Sequence, residues 1–240
     1  MICWKIHHRA ETGSTNLDAH TGRHGDVFTA DFQTAGRGRL DHKWLSPPGT
    51  NLMMSVVLSV EGLTPEIVAT FPLAVGLAVV QAVRGLLPDI AAHEVLLKWP
   101  NDVLIGGRKV AGILCERHLD HVIVGIGVNV RQRTFAPEIE GKAISLGAVS
   151  GFEGAVPTVR DAILMTLERV YRIWQTQGFD AVYPKVRAID LLRGQTLAVR
   201  QTDDDSMPLR GLCGGIQRDG SLLVGGTKVY AGEAHVEEIG

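Results

Sequence analysis

Cysteine is scarce in this sequence. Cys3, Cys115 and Cys213 are widely separated in 240 residues, with no CxxC pair. That pattern argues against a structural zinc site and fits a reducing compartment, so a cytoplasmic location is expected. No leader is expected, because "MICWKIHHRAETGS" has no apolar core of signal-peptide length. The most apolar region, Ile67 to Leu87, is interrupted by Pro72, Gln81 and Arg84, and so falls short of a membrane span. Charge of one sign is lacking as well. Lys and Arg number 24 against 26 Asp and Glu, giving a net charge of -2. Neither nucleic acid nor a membrane is therefore an expected partner.

The common nucleotide and hydrolase signatures are absent too. No GxxxxGK[ST], GxSxG or HExxH occurs. Gly125-Ile126-Gly127 opens a GxG but lacks the third glycine of a dinucleotide fold. What remains is a chain that is 45% hydrophobic, ample for one core with a small appended domain.

Periodicity and punctuation place the elements. A short helix is expected from Ser14, and "DVFTADFQ" reads as a strand entering a glycine-rich loop. Asn51 to Val60 is a buried strand by length and β-branched content. The next helix has Thr64 as N-cap and Pro65 at its first position; Pro72 kinks it or marks its true start, and Pro88 ends it. Strands follow in "EVLLKW", "DVLIGGRKVAGILCE" and "HVIVGIGVNV", with Gly106-Gly107 as a tight hairpin turn. A long amphipathic helix over 158–178 is expected to start on a Thr158/Asp161 capping box and to stop at Gly178. A shorter helix is expected over 179–189. After Leu192 the texture changes to short strand-like runs split by Asp-Gly and Gly-Gly turns. The order of elements favours α+β over a doubly wound α/β fold.

Several segments carry chemistry. Gly36-Arg37-Gly38-Arg39 combines close backbone approach with charge-assisted binding of phosphate or carboxylate, although alone it fits a solvated turn equally well. Lys98-Trp99-Pro100-Asn101-Asp102 puts an amide and a carboxylate at a turn, which suits Mg²⁺ beside a triphosphate or an ordinary Asx turn. Lys109 stands at the mouth of an apolar strand, where it can bind an anion or be a solvated edge residue. Gly112 and Gly127 line a slot or mark bulges, and Asn129 offers donors and acceptors to a phosphate or ribose.

Taken in order, "GSTN" at 13–16, "QTAGRGR" at 33–39, "WLSPPGTNL" at 44–52, "KWPNDV" at 98–103, "RKVAGILCE" at 108–116 and "GIGVNV" at 125–130 resemble the biotin–protein ligase family. The resemblance implies a class II synthetase-like mixed sheet flanked by helices over residues 1–189, followed by a small SH3-like β-barrel domain over 190–240. It implies ATP and biotin as substrates, with Mg²⁺. Biotin would be activated to biotinyl-5'-AMP and transferred to a lysine of the biotin carboxyl carrier domain of acetyl-CoA carboxylase. It further implies Lys109, Arg37 and Arg39 as the electrostatic catalysts. Ser14, Thr15, Asn16, Gln33 and Gly36, with Gly112, Leu114, Gly125 and Gly127, would form the biotin site. Trp44, Asn101 and Asn129 would meet the adenylate, Asp102 would bind Mg²⁺ or orient the acceptor lysine, and a loop within 131–144 would cover the adenine.

The chain departs from the family pattern at Asp41 and His42, where a glycine and a third arginine are usual. Weaker retention of the adenylate is expected, checked by its release rate before and after His42→Arg. The start of "STN" at Ser14 leaves no room for a DNA-binding domain, so a monofunctional enzyme is expected, monomer or homodimer. The rival readings are a lipoate–protein ligase or octanoyltransferase, and a small RNA- or nucleotide-binding module that needs only the basic loop.

Overall fold

The computed structural model describes residues 1–39, 43–92, 94–149, 152–200 and 207–236. Its centre is a seven-stranded sheet in the order β1-β2-β3-β7-β6-β5-β4. The strands are β1 (Lys5–Thr12), β2 (Asp26–Gln33), β3 (Leu52–Ser59), β4 (Val95–Lys98), β5 (Asp102–Ile105), β6 (Arg108–His118) and β7 (His121–Val128). β1 and β2 are parallel, and every other neighbouring pair is antiparallel. The mixed sheet agrees with the α+β expectation.

One face of the sheet is covered by α3 (Phe71–Leu86) and α5 (Val156–Gln177), which pack along each other. Phe71 stacks on Trp174 at 4.3 Å, and the Trp174 indole donates to Thr70 Oγ1. Gly76 lets α3 approach β4, because a Cβ there would collide with Leu97. The run 65–86 is long and apolar enough to cross a membrane, but two-thirds of its window is buried, and α3 spends its apolar surface on this core. Pro72 stands in the first turn of α3, after the short α2 (Pro65–Ala69).

On β7, Val122, Val124, Ile126 and Val128 face that core, while Ile123, Gly125 and Gly127 face the other way. This second face is only partly covered, by α1 (Thr15–Asp18). The open remainder is where the functional cavity lies.

The second sheet follows a short α4 (Asp89–Ala92) and α6 (Tyr183–Ala188) in the chain. It contains β8 (Thr196–Arg200), β9 (Leu209–Ile216), β10 (Leu222–Val224), β11 (Thr227–Val229) and β12 (Glu233–Val236), in the order β11-β10-β9-β8-β12. It is antiparallel throughout. Trp99 Nε1 donates to the Gly220 carbonyl at 3.1 Å, and the Ile216 amide donates to Asp190 Oδ2 at 2.8 Å. Leu197, Val199, Cys213 and Leu222 belong to the same apolar cluster as the large sheet.

Three local expectations change. α5 starts at Val156 behind Ala155, with Pro157 in its first turn, so Thr158 lies inside the helix and makes no cap. The helix over 179–189 is a 3-10 turn at Phe179–Ala181 followed by α6. β1 has no counterpart in the sequence reading, because this edge strand is mostly exposed and shows no apolar alternation. The Gly106-Gly107 hairpin is as expected, with φ of +54° and +76°, the left-handed pair that such a turn requires.

Candidate active site

The open face holds a cavity of 420 Å³, within the range of small-molecule sites. Its floor follows from strand register. Met53, Gly127, Gly112 and Asp102 form one row across four strands, and Ser55, Gly125 and Leu114 form the next. Three of these seven positions are glycines, so the floor is a trough where alternation would otherwise raise side chains. Trp44 lies over the trough. A Cβ at Gly127 would run into its ring at 2.6 Å, and one at Gly112 would lie 3.2 Å away. The Trp44 indole N–H is buried and has no partner among the described residues, which leaves one donor for a ligand.

The inner end of the cavity is a closed hydrogen-bond network. Gln33 Oε1 accepts from the Thr15 amide at 2.7 Å and from its hydroxyl at 3.1 Å. Ser55 Oγ, fully buried, is 2.7 Å from Thr15 Oγ1 and 2.6 Å from Asn16 Oδ1. Asn16 Nδ2 donates to Glu116 Oε2 at 2.5 Å. Ser14, Thr15 and Asn16 are buried, because α1 is pressed onto β2, β3 and β7.

The mouth is charged. Lys109 Nζ sits 2.7 Å from Asp102 Oδ1. Strict alternation from Gly112 would point Lys109 to the opposite face of β6. The register slips between Val103 and Leu104, so that Val103 pairs Ala111 while Leu104 pairs Lys109, with Val110 as the extra residue. This bulge turns Lys109 back over Gly112, to 3.3 Å from where a Cβ would stand. Arg39 feels opposing effects: burial lowers its guanidinium pKa, while the carboxylates of Asp102 and Glu233 raise it. Arg37, Lys43, Lys98 and Lys142 also line this end. Cys115, on the same strand, is no nucleophile, because burial and Glu116 push its thiol up to about 12.

The glycine-arginine loop is pinned at its stem. The Trp44 amide donates to the Gly36 carbonyl at 3.0 Å, and Arg37 bridges Lys43. Asp41 and His42 lie outside the described residues, so the expectation attached to them has no structural account.

The cavity collects Ser14, Thr15, Asn16, Gln33, Arg37, Arg39, Trp44, Asn101, Asp102, Lys109, Gly112, Leu114, Gly125 and Gly127. Two expected residues stand back from it. Gly36 belongs to the loop stem, where a Cβ would strike the Trp44 carbonyl. Asn129 is buried and donates to the carbonyls of Lys109 and Ile144, so it braces the bulge instead of facing a ligand. Asn101 lines the cavity but gives its amide to the Ile113 carbonyl at 2.7 Å. Ser55 was missed as an isolated polar residue in an apolar strand, and Glu116 as the start of the polar end Glu116-Arg117-His118 of β6. Gly232 and, on β12, Glu233 to His235 were missed too, because nothing local in "GEAHVE" marks a strand of a second sheet reaching this cavity. Ile139 and Lys142 come from the loop expected to cover the adenine.

The family model of the "Biotin/lipoate A/B protein ligase family" matches residues 11–129. The biotin--[acetyl-CoA-carboxylase] ligase of Paracoccus denitrificans is 33% identical over 230 residues, covering 90% of this chain and 92% of that protein. The bifunctional ligase/repressor BirA of Bacillus spizizenii is 34% identical over 221 residues. That match covers 87% of this chain and only 65% of the relative's length. Among solved structures, the biotin protein ligase from Aquifex aeolicus in complex with biotin and ATP superposes with a TM-score of 0.81 at 29% identity. It covers 97% of this chain and 98% of that one.

Proposed function

The chain belongs to the biotin/lipoate A/B protein ligase family, and we propose that it is a biotin–[acetyl-CoA-carboxylase] ligase acting in the cytoplasm. Residues 1–189 would hold biotin and ATP, and residues 190–240 would form the SH3-like domain that closes one side of the cavity. The observation that carries the reading is Lys109: a bulge turns its ammonium into a cavity whose other end is lined by the buried, uncharged side chains of Thr15 and Asn16 with Gln33 beside them. Such a cavity suits a ligand with a polar uncharged head and an anionic tail. Biotin has a ureido ring at one end and a carboxylate at the other.

In the first half-reaction a biotin carboxylate oxygen attacks the α-phosphorus of ATP, and the bond to the bridging oxygen breaks to release pyrophosphate. Two anions must meet, so cations dominate catalysis. Lys109, Arg37 and Arg39 serve that purpose, with Trp44 covering the glycine trough. In the second half-reaction a lysine amine of the carrier domain attacks the acyl carbon, forms the amide and releases AMP.

Mg²⁺ would supply further charge neutralisation on the phosphates. Among the described residues no three His, Cys, Asp or Glu side chains form a group that could hold a metal. Two carboxylates line the cavity, Asp102 beside Lys109 and Glu233 on β12. This donor set suits magnesium carried in by the nucleotide and touched by Asp102. The alternative role of Asp102 is to meet the incoming ammonium of the acceptor.

Biotin-dependent exchange of pyrophosphate into ATP tests the reading, with lipoate and octanoate in parallel. Exchange with biotin alone, followed by labelling of a biotin carboxyl carrier domain, is the expected result. Exchange driven by lipoate, or none at all, overturns it.

A further inference from the structure

Glu116 lines no part of the cavity, yet one carboxylate there joins two segments that do. Its Oε2 accepts from Asn16 Nδ2, at the inner end, and its Oε1 lies 3.3 Å from Arg37 Nη2, in the glycine-arginine loop. Asn16 in turn holds buried Ser55. Glu116 shares the face of β6 that carries Gly112 and Leu114, and its partner across the ladder is Ile123. It is 25% exposed, against 49% for Arg37, so the carboxylate is the more fixed member of the pair.

We infer that Glu116 is a positioning residue that sets Arg37 and Asn16 together, so that the inner end and the Arg37 side chain are organised as one unit. The guanidinium has five donors, and its contact with Glu116 is through Nη2, which leaves other donors for a ligand anion. A carboxylate anchored from behind restricts where Arg37 can go, and this lowers the entropy lost when Arg37 engages a ligand anion. The inference rests on the biotin-ligase reading for its kinetic arm only.

The experiment uses the full chain, with Glu116→Gln, Glu116→Asp, Arg37→Ala and the double variant Glu116→Gln/Arg37→Ala. Glutamine keeps an acceptor for Asn16 but removes the charge that holds Arg37. In pyrophosphate exchange, Glu116→Gln is expected to raise the biotin KM roughly five- to tenfold, the size of one partly screened charged contact. Glu116→Asp should recover part of the loss. The double variant should be no worse than Arg37→Ala, since the two groups act through one contact. Additive losses, or a lowered biotin KM showing that Glu116 merely competes with the ligand for Arg37, overturn the inference. Trypsin cleavage at Arg37, Arg39 and Lys43 without any ligand gives a readout independent of catalysis. Faster cutting in Glu116→Gln, with an unchanged thermal midpoint, is expected; equal cutting rates overturn the inference. If the wild-type chain shows no exchange, the functional reading fails, and the cleavage result still decides the role of Glu116.

Discussion

The two ends of the cavity are built on opposite terms. At the inner end Thr15, Asn16 and Ser55 are buried and hydrogen-bonded to one another or to Gln33 and Glu116. At the mouth, Lys109 is 39% exposed and Asp102 24%, and they form an ion pair. Buried polar groups that already have partners hold a fixed pattern, which suits recognition of a rigid neutral ring. Half-exposed charges can exchange partners at small cost, which suits phosphates that arrive, react and leave. On the proposed function, selectivity belongs to one end and catalysis to the other.

That division is open to direct attack, beginning where the effect is largest. Lys109→Ala removes the cation turned inward by the bulge. Pyrophosphate exchange should fall about a thousandfold in kcat, on the scale of a lost transition-state charge contact, while the fold is retained. Gly125→Ala places a methyl against the Asn16 amide, and Gly127→Ala places one against the Trp44 ring. Overpacking of this kind costs about 1–3 kcal/mol, so the biotin KM should rise about tenfold or more in either variant. A fall in kcat alone would contradict the division.

Ser55→Ala tests the network behind the trough. It leaves Asn16 without its buried partner, a cost of about 1–3 kcal/mol, to be read in the thermal midpoint and in the biotin KM. Asp102→Asn tests the mouth. Its loss should be smaller, within about tenfold in exchange rate, and should shrink further as salt rises. A large rightward shift in the Mg²⁺ titration would assign the carboxylate to the metal; an unshifted titration with slower transfer to the carrier would assign it to the acceptor lysine.

The smallest effect is expected away from the cavity, at Asp219. Burial tends to raise this carboxyl, but Lys228, Ser221 and the Ser221 amide outweigh it and hold the carboxyl well below its usual range. A depressed carboxylate stabilises the fold above its unfolded pKa, and that contribution is lost as pH falls through the folded value. Asp219→Asn should therefore lower the midpoint slightly at neutral pH and flatten the loss in acid. Biotin kinetics should not change.

Part of the cavity floor was legible in the residues themselves: Gly112 and Gly127, in two apolar strands, read as lining a slot or marking bulges. Gly125 and the polar turn at 14–16 came only from the resemblance to the biotin–protein ligase family. Ser55 was not found, because β3 is buried on both faces and one serine among apolar residues carries no period. Asn129 was read as a ligand contact, whereas its backbone and side chain brace the strand that presents Lys109. Polarity marks a residue as needing partners, but it does not say whether those partners are protein or ligand.

The amino-acid sequence by itself determined the chemical inventory: which cations, glycines and amides are present, and on which strands and turns. It did so because alternation, turn chemistry and capping depend on neighbours along the chain. Only the tertiary structure decided what that inventory faces. One extra residue at Val110 changes the side of the sheet on which Lys109 stands. The distant β12 contributes a wall, and Glu116 links residues 16 and 37. Register and contacts between remote segments are set by the packing of the whole core, and no local stretch encodes them.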